Sequence, residues 1–269
     1  MLTVAIVAGL LIGLSLGALG GGGSILAVPV LVYLLDQSPV AATTGSLLIV
    51  GVSALTGALA AGRRGNVYVG RGVTFGLIGV IGAALGATWS VHVEPEVLLA
   101  SFAALMFVVA AVMLARQLRP GTDRDAAEVD GPLIAVSPTF MCNCPRALKV
   151  VVTAIGVGLL TGFFGVGGGF LVVPALMLAL SLNMPVAVGT SLLVIAINSA
   201  AALFVRVGQG VDLDWAPVIA LTVAAVAGSL AGARAAAHVN SKALGLAFSI
   251  LLIGVAGYTA WQSVPGLLA

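Results

Sequence analysis

Charge is what this sequence has least of. Only 7% of its 269 residues are Asp, Glu, Lys or Arg, and 61% are hydrophobic. An ordinary soluble domain carries about 25% charged residues. The deficit, with a mean hydropathy of +1.22, excludes a soluble globular enzyme and points to a polytopic membrane protein. A net charge of +2 is too small to suggest a nucleic-acid partner. Cysteine is also scarce. Cys142 and Cys144 stand in "MCNCPRAL" with too few neighbouring ligands for a zinc site. Their expected cytoplasmic side argues against a standing disulfide. No HExxH, no clustered His and Asp, and no nucleophile–base pair lies in an apolar stretch. Neither a cofactor nor a metal is expected, and the chain reads as a non-enzyme. Asp36, Glu94, Glu96, Asp212 and Asp214 lie at segment ends or in loops, so no carboxylate relay is visible inside a span.

Glycine is abundant, at 36 residues. Membrane helices tolerate it because small residues let backbones approach closely. Apolar stretches fall at about 2–19, 24–35, 40–61, 72–91 and 97–115, then at 149–164, 169–182, 186–205, 216–236 and 243–261. Crossing roughly 30 Å of hydrocarbon takes about 20 helical residues. The third, fourth and fifth stretches of each set meet that; the first is marginal and the second too short. The opening "MLTVAIVAGLLIGLSLG" lacks the basic n-region of a signal peptide, and its partner lies mid-chain, so it reads as retained structure.

The two sets are copies. At a lag of 145, Gly13, Gly17, Gly20, Gly22, Gly23 and Pro29 meet Gly158, Gly162, Gly165, Gly167, Gly168 and Pro174. Ser46-Leu47-Leu48 meets Ser191-Leu192-Leu193. The reading is an all-α chain of two homologous halves, residues 1–115 and 149–269, joined by a polar cytoplasmic linker at 116–148. Each half holds a broken or re-entrant helical hairpin plus three spanning helices. Three crossings make the repeats inverted. One face then collects Arg63, Arg64, Arg71, Arg116, Arg119, Arg124, Arg146, Lys149, Arg234 and Lys242, leaving only Arg206 opposite, as the positive-inside rule favours. A rival reading takes residues 2–35 as one broken crossing, which gives four crossings and parallel repeats. The expectation here is inversion. His92 and His238, repeat mates near segment ends, read as interfacial.

The glycine runs "GALGGGGSILAVPVLV" and "GFFGVGGGFLVVPALM" sit where lipid offers no hydrogen bonds. Unwound backbone there must face protein or a watery cavity. Each run precedes a helix whose first N–H groups are unpaired and carry partial positive charge. Without a Cβ, a ligand can approach those amides, as in the discontinuous helices of repeat-built transporters. With no Lys or Arg clearly mid-span, a small anion near mid-membrane would be held by backbone and hydroxyls. Hydroxyls come from the third segments: Thr44, Ser46 and Ser53, then Thr190, Ser191 and the amide of Asn198. Ser46 and Ser53, like Ser191 and Asn198, are seven apart and share a helix face. Helix capping and interhelical bonding are the competing roles for these side chains. For Gly82, Gly86, Gly228 and Gly232, tight helix packing is the favoured role.

These duplicated motifs, "GGGGSILAVP" and "GVGGGFLVVP", each followed by a Thr/Ser-bearing helix start, resemble the TauE/SafE family, also called the TSUP family of sulfite exporters. The resemblance covers about residues 4–261. It implies a bacterial inner-membrane exporter of sulfite, sulfoacetate or a related small anion, thiosulfate and carboxylates included. Its partners would be that anion and the bilayer, with homodimerisation left open. The motif glycines map to Gly20, Gly22, Gly23, Gly165, Gly167, Gly168 and Gly169, and the Gly-Thr-Ser start to Gly189, Thr190 and Ser191. The first half departs from the pattern with "ATTGS", and with Ser24 where the second half has Gly169.

Overall fold

A computed structural model describes residues 2–35, 37, 39–90, 95–118, 144–164, 169–180, 182–207, 215–236 and 238–268. Ten α-helices are described: α1 (Leu2–Leu19), α2 (Gly22–Pro29), α3 (Pro39–Gly62), α4 (Val69–Ser90), α5 (Pro95–Leu118), α6 (Cys144–Phe164), α7 (Gly169–Ala179), α8 (Met184–Val207), α9 (Trp215–Ala236) and α10 (Ser241–Leu268). Their bounds follow the ten apolar stretches closely, because a backbone in lipid must bond within itself. Four described stretches are long and apolar enough to cross a membrane: Ala41–Gly62, Val69–Gly86, Met184–Phe204 and Trp215–Ala236. Helices α5 and α10 contribute the shorter apolar stretches Ser101–Ala115 and Lys242–Tyr258. Proline opens α3 and α5, where its missing N–H costs nothing.

The first half begins with a hairpin, not a single broken crossing. Gly23, just past the break, lies against Ile12 and Leu16 of α1. Further along, Leu31 shares a buried cluster with Ala5 and Ala8. The chain therefore returns beside α1 toward the end where it started. Pro29 cannot donate to the helical ladder, and directly after it the helix widens into one π turn, Val30–Leu34.

The halves interleave. Helix α1 packs on α9, and its mate α6 packs on α4; α5 meets α10, α3 meets α8, and α2 meets α7. Every pairing has its repeat-related counterpart. Two of the contacts are backbone to backbone. A Cβ on Gly13 would strike the Ala225 carbonyl, and one on Gly17 the Ser229 carbonyl. On the mated surface, Gly158 lies on the Gly79 carbonyl and Gly162 on that of Ala83. Gly82 and Gly86 pack on Ile155 and Leu159, while Gly228 and Gly232 pack on Leu10 and Leu14. These small-residue contacts substitute for hydrophobic attraction, which is weak between helices in lipid.

The same contacts give helix directions. Gly9, Gly13 and Gly17 meet Leu221, Ala225 and Ser229 in ascending order, so α1 and α9 are parallel. Helices α4 and α6 are parallel likewise. In contrast, Gly51 meets Ser199 whereas Gly57 meets Leu192, so the mates α3 and α8 are antiparallel. Ser53 and Gly57 meet Ser229, and Arg64 meets Ala233, so α3 runs with α9. The end of α3 (Arg63, Arg64), the start of α4 (Arg71), the start of α6 (Lys149), the end of α9 (Arg234) and the start of α10 (Lys242) therefore share one end of the bundle.

The largest buried cluster surrounds α7. It joins Phe170, Val172, Val173 and Leu176 of α7 to Phe75, Phe102, Met106, Phe248 and Leu252. Phe102 lies tilted against Phe164 with ring centres 5.3 Å apart and edge-on against Phe170 at 5.5 Å. Large apolar side chains on the outer faces are exposed, among them Leu11, Leu59, Ile81, Val223 and Ile250, as lipid-facing positions require.

Candidate functional site

The first glycine break assembles from the end of α1 inward. Gly20 takes φ +76°, and its N–H bonds the Leu16 carbonyl at 2.8 Å. This left-handed cap ends the helix, a conformation that disfavours any residue with a Cβ. Space forbids one as well: it would stand 2.6 Å from Ser191 Oγ and 2.9 Å from Val188 Cα. Gly21 is the N-cap of α2, and no side chain caps that helix. The Ser24 hydroxyl instead donates to the Gly21 carbonyl at 2.7 Å. The first-turn N–H groups of Gly22 and Gly23 have no intrahelical carbonyl to bond. All of Gly20 to Ser24 is buried.

The second tip meets the first. A Cβ on Gly21 would strike the Gly169 carbonyl, and one on Gly169 would stand 2.7 Å from Ser24 Oγ. Gly165, Gly167 and Gly168 lie outside the described residues. Ser191 seals the junction, donating to the Gly20 carbonyl at 3.1 Å and to Val188 of its own helix at 2.8 Å. Its mate Ser46 makes the equivalent local bond, to the Thr43 carbonyl at 2.8 Å. The hairpin tip of the first half is thus held by the third spanning segment of the second. The polar stripe on the tip's own half lies elsewhere, because α1 is long enough to pass α3's polar start and reach the opposite half.

Helices α3 and α8 cross near Gly51 and Ser199. Ser191 lies eight residues earlier on α8, about 12 Å along the axis, so the first break lies on the cationic side of that crossing. Near that end Thr190 Oγ1 accepts the Tyr68 N–H at 3.2 Å, so this threonine caps α4. Thr44 is buried near the start of α3.

Gly20, Ser24, Gly169 and Ser191 thus converge. Gly22 turns toward Leu251 of α10, and Gly23 toward α1. Ser53 and Asn198, which are repeat mates, lie near the crossing level on different flanks. The Ser53 carbonyl accepts the Ser229 hydroxyl of α9 at 2.9 Å, whereas Asn198 faces Gly79 of α4. Ser53 Oγ, Asn198 Oδ1 and Ser199 Oγ are buried atoms without a protein partner. Buried polar atoms are normally paired, so these three suit water or solute. Among the described residues no three His, Cys, Asp or Glu side chains could hold a metal. Cys142 lies outside the described residues, and Cys144 is the first residue of α6. His238 is exposed at the end of α9, its Nδ1 3.0 Å from the Arg234 carbonyl, and His92 lies outside the described residues. Sequence reasoning did not single out Arg64, Tyr68 and Ser229, which touch this region only through folding.

The sequence model of the family described as "Sulfite exporter TauE/SafE" matches residues 5–259. The chain belongs to the TauE/SafE family. It is 33% identical over 272 residues to a "Probable membrane transporter protein" of Xylella fastidiosa (strain Temecula1 / ATCC 700964), covering 100% of this chain and 98% of that protein. It is 26% identical to the "Probable membrane transporter protein YunE" of Bacillus subtilis (strain 168), covering 93% and 94%. It is also 26% identical to YdhB of the same strain, likewise named a probable membrane transporter protein, covering 83% and 86%. No solved structure matches. This TauE/SafE chain is thus a membrane transporter with a buried, uncapped helix start between its halves.

Proposed function

We propose that this TauE/SafE protein exports a small sulfur-containing oxyanion, sulfite first, across the bacterial inner membrane. The observation that carries the reading is the Gly20–Ser24 turn: a buried helix N-terminus without a side-chain cap, opened by glycine and held by Ser191. A helix start contributes about 0.3–1 kcal/mol toward an anion, and up to about 2 when partly buried. Such a hold is weak enough for release. The anion-contacting set would be Gly20, Gly22, Gly23, Ser24, Thr44, Ser46, Ser53, Gly165, Gly167, Gly168, Gly169, Thr190, Ser191 and Asn198, used at successive stages of passage.

The orientation proposed is inverted repeats, with the linker 116–148 and the cationic end in the cytoplasm. The opposed directions of α3 and α8 and the gathering of Arg63, Arg64, Arg71, Lys149, Arg234 and Lys242 support it. A reporter fused at the C-terminus is expected to read periplasmic, with residues 63–71 cytoplasmic. Both reading cytoplasmic overturns inversion. With no carboxylate relay in the spans, export is driven by the inside-negative potential, about 2.3 kcal/mol per charge per 100 mV.

The deciding experiment is flux with purified protein in proteoliposomes across sulfite, sulfate, thiosulfate, sulfoacetate and acetate. Sulfite flux that follows an imposed potential supports the proposal. A preference for another of these anions moves the substrate. Absence of flux with all of them leaves a non-transporting membrane subunit. Flux that ignores the potential and follows a pH gradient overturns the driving force.

A further inference from the structure

The connection between α3 and α4 lies over the first glycine break, and it carries charge. Arg63 to Gly65 form a turn closed by Gly65 at φ +75°, with the Asn66 N–H bonding the Ala61 carbonyl at 3.1 Å. Beyond the turn the chain rests on the start of α8. The Asn66 carbonyl lies against Gly189, and the Tyr68 N–H bonds Thr190. Thr190 precedes Ser191, which holds Gly20. Arg71 stacks its guanidinium 4.6 Å from the centre of the Tyr68 ring. On the other flank, Arg64 donates from Nη1 to the Ala233 carbonyl at 2.6 Å. Gly232, next to Ala233, packs on Leu14 and Ala18, within one turn of Gly20. Arg64, exposed, and Arg71, half-buried, are thus each linked to the break through one helix, α9 and α8 respectively.

The second half has no counterpart. At the lag of 145, Arg64 corresponds to Gln209 and Arg71 to Ala216; the segment "GQGVDLD" holds two aspartates, and the nearest cation, Arg206, corresponds to Ala61. A general need for loop charge at insertion explains basic residues on one face. It does not explain why one arginine reaches the last turn of α9 and the other is held on an aromatic ring, both beside the break.

We propose that Arg64 and Arg71 are positioning residues that gather the oxyanion at the cationic mouth and pass it to the Gly20–Ser24 turn. The assignment rests on the anion-export reading above. A pair of fixed cations beside a low-dielectric entrance raises the local anion concentration and the rate of encounter. Only Arg206 lies toward the opposite end, so encounter from the cationic end gains most. Outward cargo thus loads at low concentration, and released cargo rebinds poorly.

The test is initial uptake of labelled sulfite into everted and right-side-out membrane vesicles carrying the full chain. Arg71→Gln is expected to raise the half-saturating sulfite concentration about fivefold from the cationic face with maximal rate kept there, and detailed balance then lowers the ratio of maximal rate to half-saturation equally from the other face. Arg71→Lys, which retains the charge, restores most of it. Arg64→Gln shifts the same face, and Arg63→Gln leaves both faces unchanged. Raising ionic strength weakens wild-type half-saturation from that face and leaves Arg71→Gln less responsive. An unchanged half-saturation from the cationic face in Arg71→Gln, or a loss there confined to maximal rate, overturns the inference. No sulfite uptake by wild type from either face instead removes the exporter reading beneath it.

Discussion

The two hairpins descend from one sequence pattern and have become different objects. Pro29 and Pro174 are repeat mates. After Pro29 the first hairpin widens into a π turn, whereas α7 carries Pro174 inside an unbroken helix of 11 residues. Their surroundings differ too. Helix α7 is buried along Gly169–Leu176 in the largest core cluster, whereas the π turn after Pro29 leads to the exposed Leu34. At the tips, Ser24 faces Gly169: one half supplies a hydroxyl where the other supplies bare backbone. The difference teaches that duplication delivers two similar stretches, and that divergence in their surroundings and side chains makes their local structures differ.

The comparison is broken most severely where the halves are still alike. Gly17→Val and its mate Gly162→Val each drive a side chain into a facing carbonyl, of Ser229 and Ala83 respectively. Overpacking of this kind costs about 3 kcal/mol or more in membrane-embedded backbone contacts. Both variants are expected to lose monodisperse protein, or many degrees of melting temperature in detergent. Tolerance of one and not the other would show that the two interfaces no longer match.

Next comes Gly20→Ala. The positive φ alone costs about 1–2 kcal/mol, and the new methyl meets Ser191 and Val188. Insertion is expected to persist while sulfite flux falls at least tenfold. Wild-type flux in this variant moves the site away from the break.

A smaller effect tests the tip exchange. Gly169→Ser alone crowds Ser24 Oγ, and Ser24→Gly alone removes the bond to Gly21. The double variant is expected to recover about 1 kcal/mol relative to the sum of the singles. Additive melting shifts would mean that the tips are not coupled. The smallest expected change separates Ser191 from Ser46. Ser191→Ala loses a bond across the halves and is expected to cost about 1 kcal/mol, whereas Ser46→Ala, whose described bond is local, costs less. Equal shifts in thermal unfolding would remove the special place given to Ser191.

Much of this was legible in one dimension. Runs of apolar residues mark helices in lipid because nothing else satisfies their backbone, and the ten stretches became ten described helices. Glycine spacing at a fixed lag marks duplication. Gly82, Gly86, Gly228 and Gly232 read as packing residues, and each lies on a neighbouring backbone. Ser191 read as a polar neighbour of a glycine tip, though the tip it holds belongs to the other half. Arg64 read only as a loop cation; its bond to Ala233, 169 residues away, leaves no local pattern.

By itself the sequence determined that this chain is a helical membrane protein in two copies of one motif, with each copy interrupted by glycine. Those properties follow from local chemistry: hydrocarbon demands internal hydrogen bonds, and glycine alone ends a helix without side-chain bulk. Tertiary structure alone decided which copy touches which. Helix α1 lies on α9, Ser191 closes the Gly20 turn, and two arginines come to flank it. Such pairings depend on shape matching between distant surfaces, where a missing Cβ on one helix admits the carbonyl of another.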